Sequence, residues 1–200
     1  MRRSAPQLGA GLFSIVMMAS SLSIAQPISI QLARDTPAEQ QAKVPLERLL
    51  KRYDTAKYTF TQSVIIQERA IPHSHPVLTL NTRHLGQDDE TLSTYLHEPI
   101  HWFLDERQQQ TRAAEDELTK LYPNPPVGGD DGAQDLESDY LHLIVCELER
   151  EADLQPLGPE RTESVMRFWA NDHYKWIYRT VSADYQKIQT VIRKHNLEIL

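Results

Sequence analysis

The 200-residue chain has a single cysteine, Cys146. A lone thiol cannot close an internal disulfide, so stability has to come from a hydrophobic core and not from covalent staples. Cys146 falls in the apolar run Leu143-Ile144-Val145-Cys146, which reads as a buried thiol and not as a reactive nucleophile. Positive charge is also short: lysine and arginine number 21 against 28 aspartates and glutamates, a formal net charge of −7. Holding a phosphate backbone needs clustered Lys and Arg, so no nucleic-acid partner is expected. The most apolar stretch, residues 8–19, is too short and too interrupted by small residues for a membrane span. No internal repeat is visible. The acidic stretch from Asp130 to Glu137 lacks the alternate-oxygen spacing and distal Glu of an EF-hand, so it reads as a solvated loop or an active-site flap.

What is there begins with an export layout. Arg2 and Arg3 precede the apolar core of residues 8–19, and Ser21-Leu22-Ser23-Ile24-Ala25 supplies a small-x-small cleavage pattern. Residues 1–25 are therefore expected to be a signal peptide, with Gln26 as the first mature residue. The arginine pair leaves the general secretory and twin-arginine routes open, although Ser4-Ala5-Pro6-Gln7-Leu8 fits the latter poorly. No cysteine follows the apolar core, which argues against a lipid anchor or any stable membrane attachment after cleavage. Cleavage leaves about 175 residues with 19 basic against 28 acidic groups, net −9. That length suits one domain. A disulfide-free export product points to a bacterial periplasm or the medium.

Along the mature chain, residues 26–44 read as a flexible lead and residues 45–200 as a single domain. Pro45, Leu46, Leu49, Leu50 and Tyr53 carry helical spacing. Residues 58–66 are rich in β-branched and aromatic side chains and read as a strand; residues 77–80 read as another. The intervening Pro72-His73-Ser74-His75-Pro76 makes a plausible hairpin turn, with both histidines exposed. Helix dominates afterwards, from Asp89 to about Leu121, then over residues 140–154, then in two or three further segments, with Ser182 an expected N-cap of the last. The fold class is α+β: helix-rich, with a small β-hairpin or sheet before the first of these helices.

The most informative stretch is His97-Glu98-Pro99-Ile100-His101, which spells H-E-x-x-H. Residues four apart stack on one helix face, so both imidazoles reach a single metal ion. Glu98 lies about 100° around the helix, where it can act as general base towards a water. Pro99 interrupts the pattern, because its ring removes the hydrogen bond to the Tyr95 carbonyl and costs about 3 kcal/mol in a helix interior. A kinked helix that still presents both histidines is expected. The alternatives are a helix beginning near Leu96, with Pro99 in its first turn, or an accidental motif.

On these residues the chain resembles the zincin metallopeptidases, with only the five-residue signature specific. The resemblance implies Zn²⁺ held by His97 and His101, Glu98 as the base, and a neighbouring edge strand that binds an extended peptide or protein substrate. The metzincin extension is absent, because Leu104 and Arg107 stand where a glycine and a third histidine are required. A gluzincin-like third ligand on a later helix fits better. Residues 140–154 offer His142, Glu147 and Glu149, of which His142, Cys146 and Glu149 share a face beside the apolar side. Glu149 is the preferred third ligand, with His142 as its supporting partner or the alternative ligand, and Glu147 less well placed.

Asp105, four residues after His101, is positioned either to accept the outer N–H of that imidazole or to join a solvated face with Glu106 and Arg107. The aromatic stretch from Trp169 to Arg179 offers His173 and Tyr178 as oxyanion-stabilising candidates, against a plain packing role for Phe168, Trp169, Trp176 and Ile177. The functional expectation is an exported zinc peptidase. The competing class is a non-catalytic periplasmic domain that binds metal or a protein partner.

Overall fold

The computed structural model describes residues 28–200. The expected signal peptide and its cleavage site lie outside the described residues. The lead does not behave as expected. Ser29–Leu32 forms strand β1, and helix α1 spans Pro37–Arg52. Local chemistry explains the early start: Thr36 caps α1, its hydroxyl accepting the Glu39 N–H, while the Glu39 carboxylate reaches back to the Thr36 N–H. A proline in the first turn completes a well-specified N-terminus.

Strands β2 (Ser63–Ile66) and β3 (Leu78–Leu80) complete a three-stranded sheet in the order β1-β2-β3. Both pairings are parallel, with Ile30 opposite Val64 and Val64 opposite Leu78. The expected hairpin is therefore corrected. The chain does turn back after Pro72, but it is His73 that pairs antiparallel with Thr79, leaving β3 parallel to β2. All three residues of β3 are buried, which suits a strand covered on both faces.

Five helices follow. Helix α2 spans Asp88–Asp105, α3 Gln108–Leu121, α4 Leu136–Leu157, α5 Pro159–Asp172 and α6 Lys175–Lys194. Helix α2 runs through Pro99 without beginning at Leu96, so both histidines of the motif lie on one continuous element. Helix α4 starts four residues earlier than its apolar pattern, because Asp135 caps it through the Ser138 N–H at 2.8 Å. Ser182 is not an N-cap. It lies inside α6, and its hydroxyl donates back to the Tyr178 carbonyl at 2.8 Å; the backbone departs from helical geometry two residues later, at Asp184. The acidic loop is tied to α6: the Asp130 and Asp131 carbonyls accept the first N–H groups of that helix, from Lys175 and Trp176.

Helix α4 is the central element, packed between α2, α5 and α6. Leu143, Ile144, Val145, Cys146 and Leu148 are sealed, and α2 presents Leu92, Tyr95, Leu96, Ile100 and Leu104 to the same core. Among the described residues no helix is long and apolar enough to cross a membrane.

Candidate metal centre

Helix α2 brings His97 and His101 to one face, and α4 sets His142 against them. Ring centroids lie 5.3 Å apart for His97–His101, 5.9 Å for His97–His142 and 5.2 Å for His101–His142. One nitrogen from each ring falls within 4.8 Å of the others, as three ligands of one tetrahedral ion require.

The outer nitrogens decide which atom each ring offers. The Nδ1–H of His97 donates to the Glu149 carboxylate at 2.8 Å, and that of His142 donates to the Ser138 carbonyl at 2.7 Å. Both rings are thereby oriented with Nε2 left for a metal. Burial, together with the charge of His97, pulls His142 down to about 4 and His101 well below its ordinary value, so both are neutral at pH 7, the form that could ligate a metal. Burial lowers His97 too, but the charge and hydrogen bond of Glu149, with the charge of Glu98, outweigh it and raise its pKa. A positive charge is thus favoured at this position, and a metal cation meets the same demand.

Glu149, expected as the third ligand, lies close enough to His97 to share an ion and borders the cleft, but both of its oxygens are already engaged. Its Oε2 accepts from both His97 and the Tyr178 hydroxyl (2.9 Å), and its Oε1 accepts from the Ser93 hydroxyl at 2.5 Å. Ser93 in turn accepts from Trp169 Nε1 at 3.1 Å. A carboxylate set against His97 Nδ1 and held by three donors fixes the orientation of that imidazole. His142, the alternative ligand, completes the cluster facing the cleft. A second grouping, His97 with Cys146 and Glu149, has the same closeness, but burial pushes the Cys146 thiol far up and it does not line the cleft. Glu147 is turned elsewhere, held by a two-point pair with Arg150 at 2.8 Å.

Glu98 is 6 % exposed, and burial pushes its carboxyl up to about 7, against the lowering charges of His97 and His73. A base titrating there is matched to work near neutrality. It opens with the three histidines into a cleft of about 560 Å³, whose walls include residues 70–74, Arg83, His84, Trp169, His173 and Tyr174.

The structure separates the two oxyanion candidates. Tyr178 contributes to the cleft wall, but it is buried and its hydroxyl is committed to Glu149. His173 also lines the cleft, with Nδ1–H held by Asp172 at 2.9 Å. Between them sits Tyr174, in the left-handed region at φ 48°, its ring 4.6 Å from His142 and 5.0 Å from His173. A bulky residue in that conformation is costly, so the surrounding packing must hold it there. Asp105 does not support His101; it pairs at 3.4 Å with His75, which stacks on Trp102.

Ser93, Asp172 and Tyr174 are the members that sequence reasoning missed. Ser93 precedes His97 by one helical turn, as His97 precedes His101, so a signal for it existed in the spacing. No family model, curated protein or solved structure matches the chain. The zincin resemblance rests on the residues alone.

Proposed function

We propose that this protein is a zinc-dependent peptidase in which His97, His101 and His142 hold the metal and Glu98 is the general base. The observation that carries the reading is the triad of imidazole nitrogens within 4.8 Å, set beside a buried glutamate that titrates near 7 at the floor of a cleft. Three imidazole nitrogen ligands fit zinc and leave room for a fourth. When bound, zinc supplies Lewis acidity, polarising a carbonyl and making water acidic enough to attack near pH 7.

The chain's own groups do the rest. Glu98 takes the proton of the attacking water and passes it to the leaving amine. The Tyr174 hydroxyl, kept protonated chiefly by burial, donates to the developing oxyanion. His173 borders the same space: burial lowers its pKa despite the Asp172 hydrogen bond, so at neutral pH its ring is neutral, with Nδ1–H on Asp172 and Nε2 left as an acceptor. The substrate-binding edge is residues 70–74 and not a hairpin, because His73 already covers β3 through Thr79 and this strip itself borders the cleft. The export layout of residues 1–25 fits an enzyme acting in the periplasm or medium.

Metal content and peptide hydrolysis test the reading together. About one zinc per chain is expected, lost from His97→Ala, His101→Ala and His142→Ala. It is retained in Glu98→Gln, where hydrolysis falls by about 10²–10⁴-fold. Wild-type protein that takes up no zinc overturns the proposal. Zinc held firmly with no hydrolysis of any peptide reduces it to a metal-binding domain.

A further inference from the structure

Arg83 stands on the cleft wall with no part in the chemistry above. Among the described residues lining the cleft it is the one lysine or arginine. Its side chain is 58 % exposed, yet its placement is fixed at both ends. The backbone N–H bonds to Asn81 Oδ1 at 2.9 Å, and Asn81 is itself tied to the Ala70 carbonyl at 3.2 Å. At the other end Nη2 donates to Asp172 Oδ1 at 2.5 Å.

A guanidinium carries five donors in a planar fork. Asp172 engages one nitrogen, leaving an edge of the fork to face solvent. The chemistry that matches such an edge is a carboxylate taken in two-point fashion. The same Asp172 holds His173 Nδ1, so one half-buried carboxylate positions both the arginine and the cleft-lining histidine. A ligand carboxylate seated on Arg83 therefore lies in fixed relation to His173. Glu149 does not compete for the arginine, since both of its oxygens are engaged by Ser93, His97 and Tyr178. A cleft of about 560 Å³ takes a ligand of small-molecule size, such as a short stretch of peptide.

Resting on the peptidase reading, we propose that the cleft selects peptides carrying a carboxylate next to the scissile bond, with Arg83 as the residue that recognises it. Two sources share this chemistry: the free C-terminus of a chain, or an Asp or Glu side chain.

The test uses the zinc-loaded full-length protein and matched peptides, with the C-terminus free or amidated and the flanking residue Asp/Glu or Asn/Gln. Wild-type kcat/KM is expected to favour the carboxylate-bearing member of one pair by tenfold or more, and the pair showing the preference identifies the source. The preference should sit in KM, shrink to about twofold or less in Arg83→Gln, and survive in part in Arg83→Lys, which keeps the charge but loses the fork. Equal cleavage of all peptides by the wild type, or a preference that persists in Arg83→Gln, overturns the inference. Binding of N-benzoylglycine against its amide, followed by calorimetry, separates this from failure of the peptidase reading. If no peptide is cut, that reading falls alone. An Arg83-dependent preference for the acid then supports the carboxylate seat, and equal binding overturns it.

Discussion

Glu39 and Glu149 are both sealed from solvent, at 0 % and 1 % exposure, but they are satisfied in opposite ways. Glu39, at the junction of α1 and the sheet, accepts from backbone N–H groups: Arg34 at 2.9 Å, Thr36 at 3.3 Å and Glu68 at 3.0 Å. Glu149, in the middle of α4, accepts from side chains of α2 and α6: Ser93, His97 and Tyr178. Backbone donors fix a loop and a helix start, so Glu39 serves the fold. Side-chain donors fix the direction of one carboxylate against one imidazole, so Glu149 braces the candidate site. The difference shows that burial and full hydrogen bonding do not by themselves mark a functional carboxylate. What its partners are does.

The comparison is broken most severely by Glu149→Ala, which leaves three sealed donors without an acceptor. Unfolding free energy should fall by about 3–5 kcal/mol, and zinc affinity by about 10–100-fold. Denaturation with and without zinc, plus metal titration, measures both. Zinc affinity left intact would show that the carboxylate does not orient His97.

Glu39→Ala should cost less, about 2–3 kcal/mol from the lost capping box and the orphaned amides, with zinc affinity unchanged within twofold. Its pH signature sharpens the contrast. Burial raises the Glu39 carboxyl, but the amides of Glu68, Arg34 and Thr36 outweigh it and hold its pKa below the ordinary 4.5. The folded state thus binds this proton more weakly than the unfolded one. The stability Glu39 contributes is present above pH 4.5 and is lost as pH falls through the lowered folded value. Acid titration of the unfolding midpoint should be shallower in Glu39→Gln.

Asp153, one turn beyond Glu149, is a third buried carboxylate, and neither of its oxygens has a hydrogen-bond partner among the described residues. Burial, then the charge of Glu149, pushes its pKa well above the ordinary 3.8. Here the sign reverses: the stability it contributes is full below pH 3.8 and is lost as pH rises through the raised value. Asp153→Asn should therefore stabilise the protein by about 1 kcal/mol at pH 7, with the gain vanishing in acid. Equal stability of the two proteins at neutral pH would contradict this. The smallest effect belongs to Asp105→Asn, under about 0.5 kcal/mol with unaltered zinc affinity, because Asp105 faces His75 at the surface.

The same contrast explains what was legible before the structure. Thr36-x-x-Glu39 is a local signal, readable within four residues, although its polar surroundings disguised it as a flexible lead. The three donors to Glu149 lie 29 to 56 residues away, and no local pattern announces them. Periodicity exposed α2 and α4 and placed His142, Cys146 and Glu149 on one face. It did not say which of His142 and Glu149 has its donor atoms already engaged, because that depends on the side chains α2 and α6 bring against α4. Tyr178 shows a similar limit: its spacing places a tyrosine beside the site and does not tell that its hydroxyl is committed to Glu149.

By itself the sequence determined the α+β class, the helix carrying His97, Glu98 and His101, and the helix that answers it, since these follow from side-chain period and motif spacing. The tertiary structure alone decided that β2 and β3 run parallel and that His142 completes the histidine cluster while Glu149 stands behind His97. It also decided that Asp172 couples Arg83 to His173. Those outcomes depend on how far α4 and the junction of α5 and α6 are displaced against α2. Packing sets that displacement, and no spacing along the chain records it.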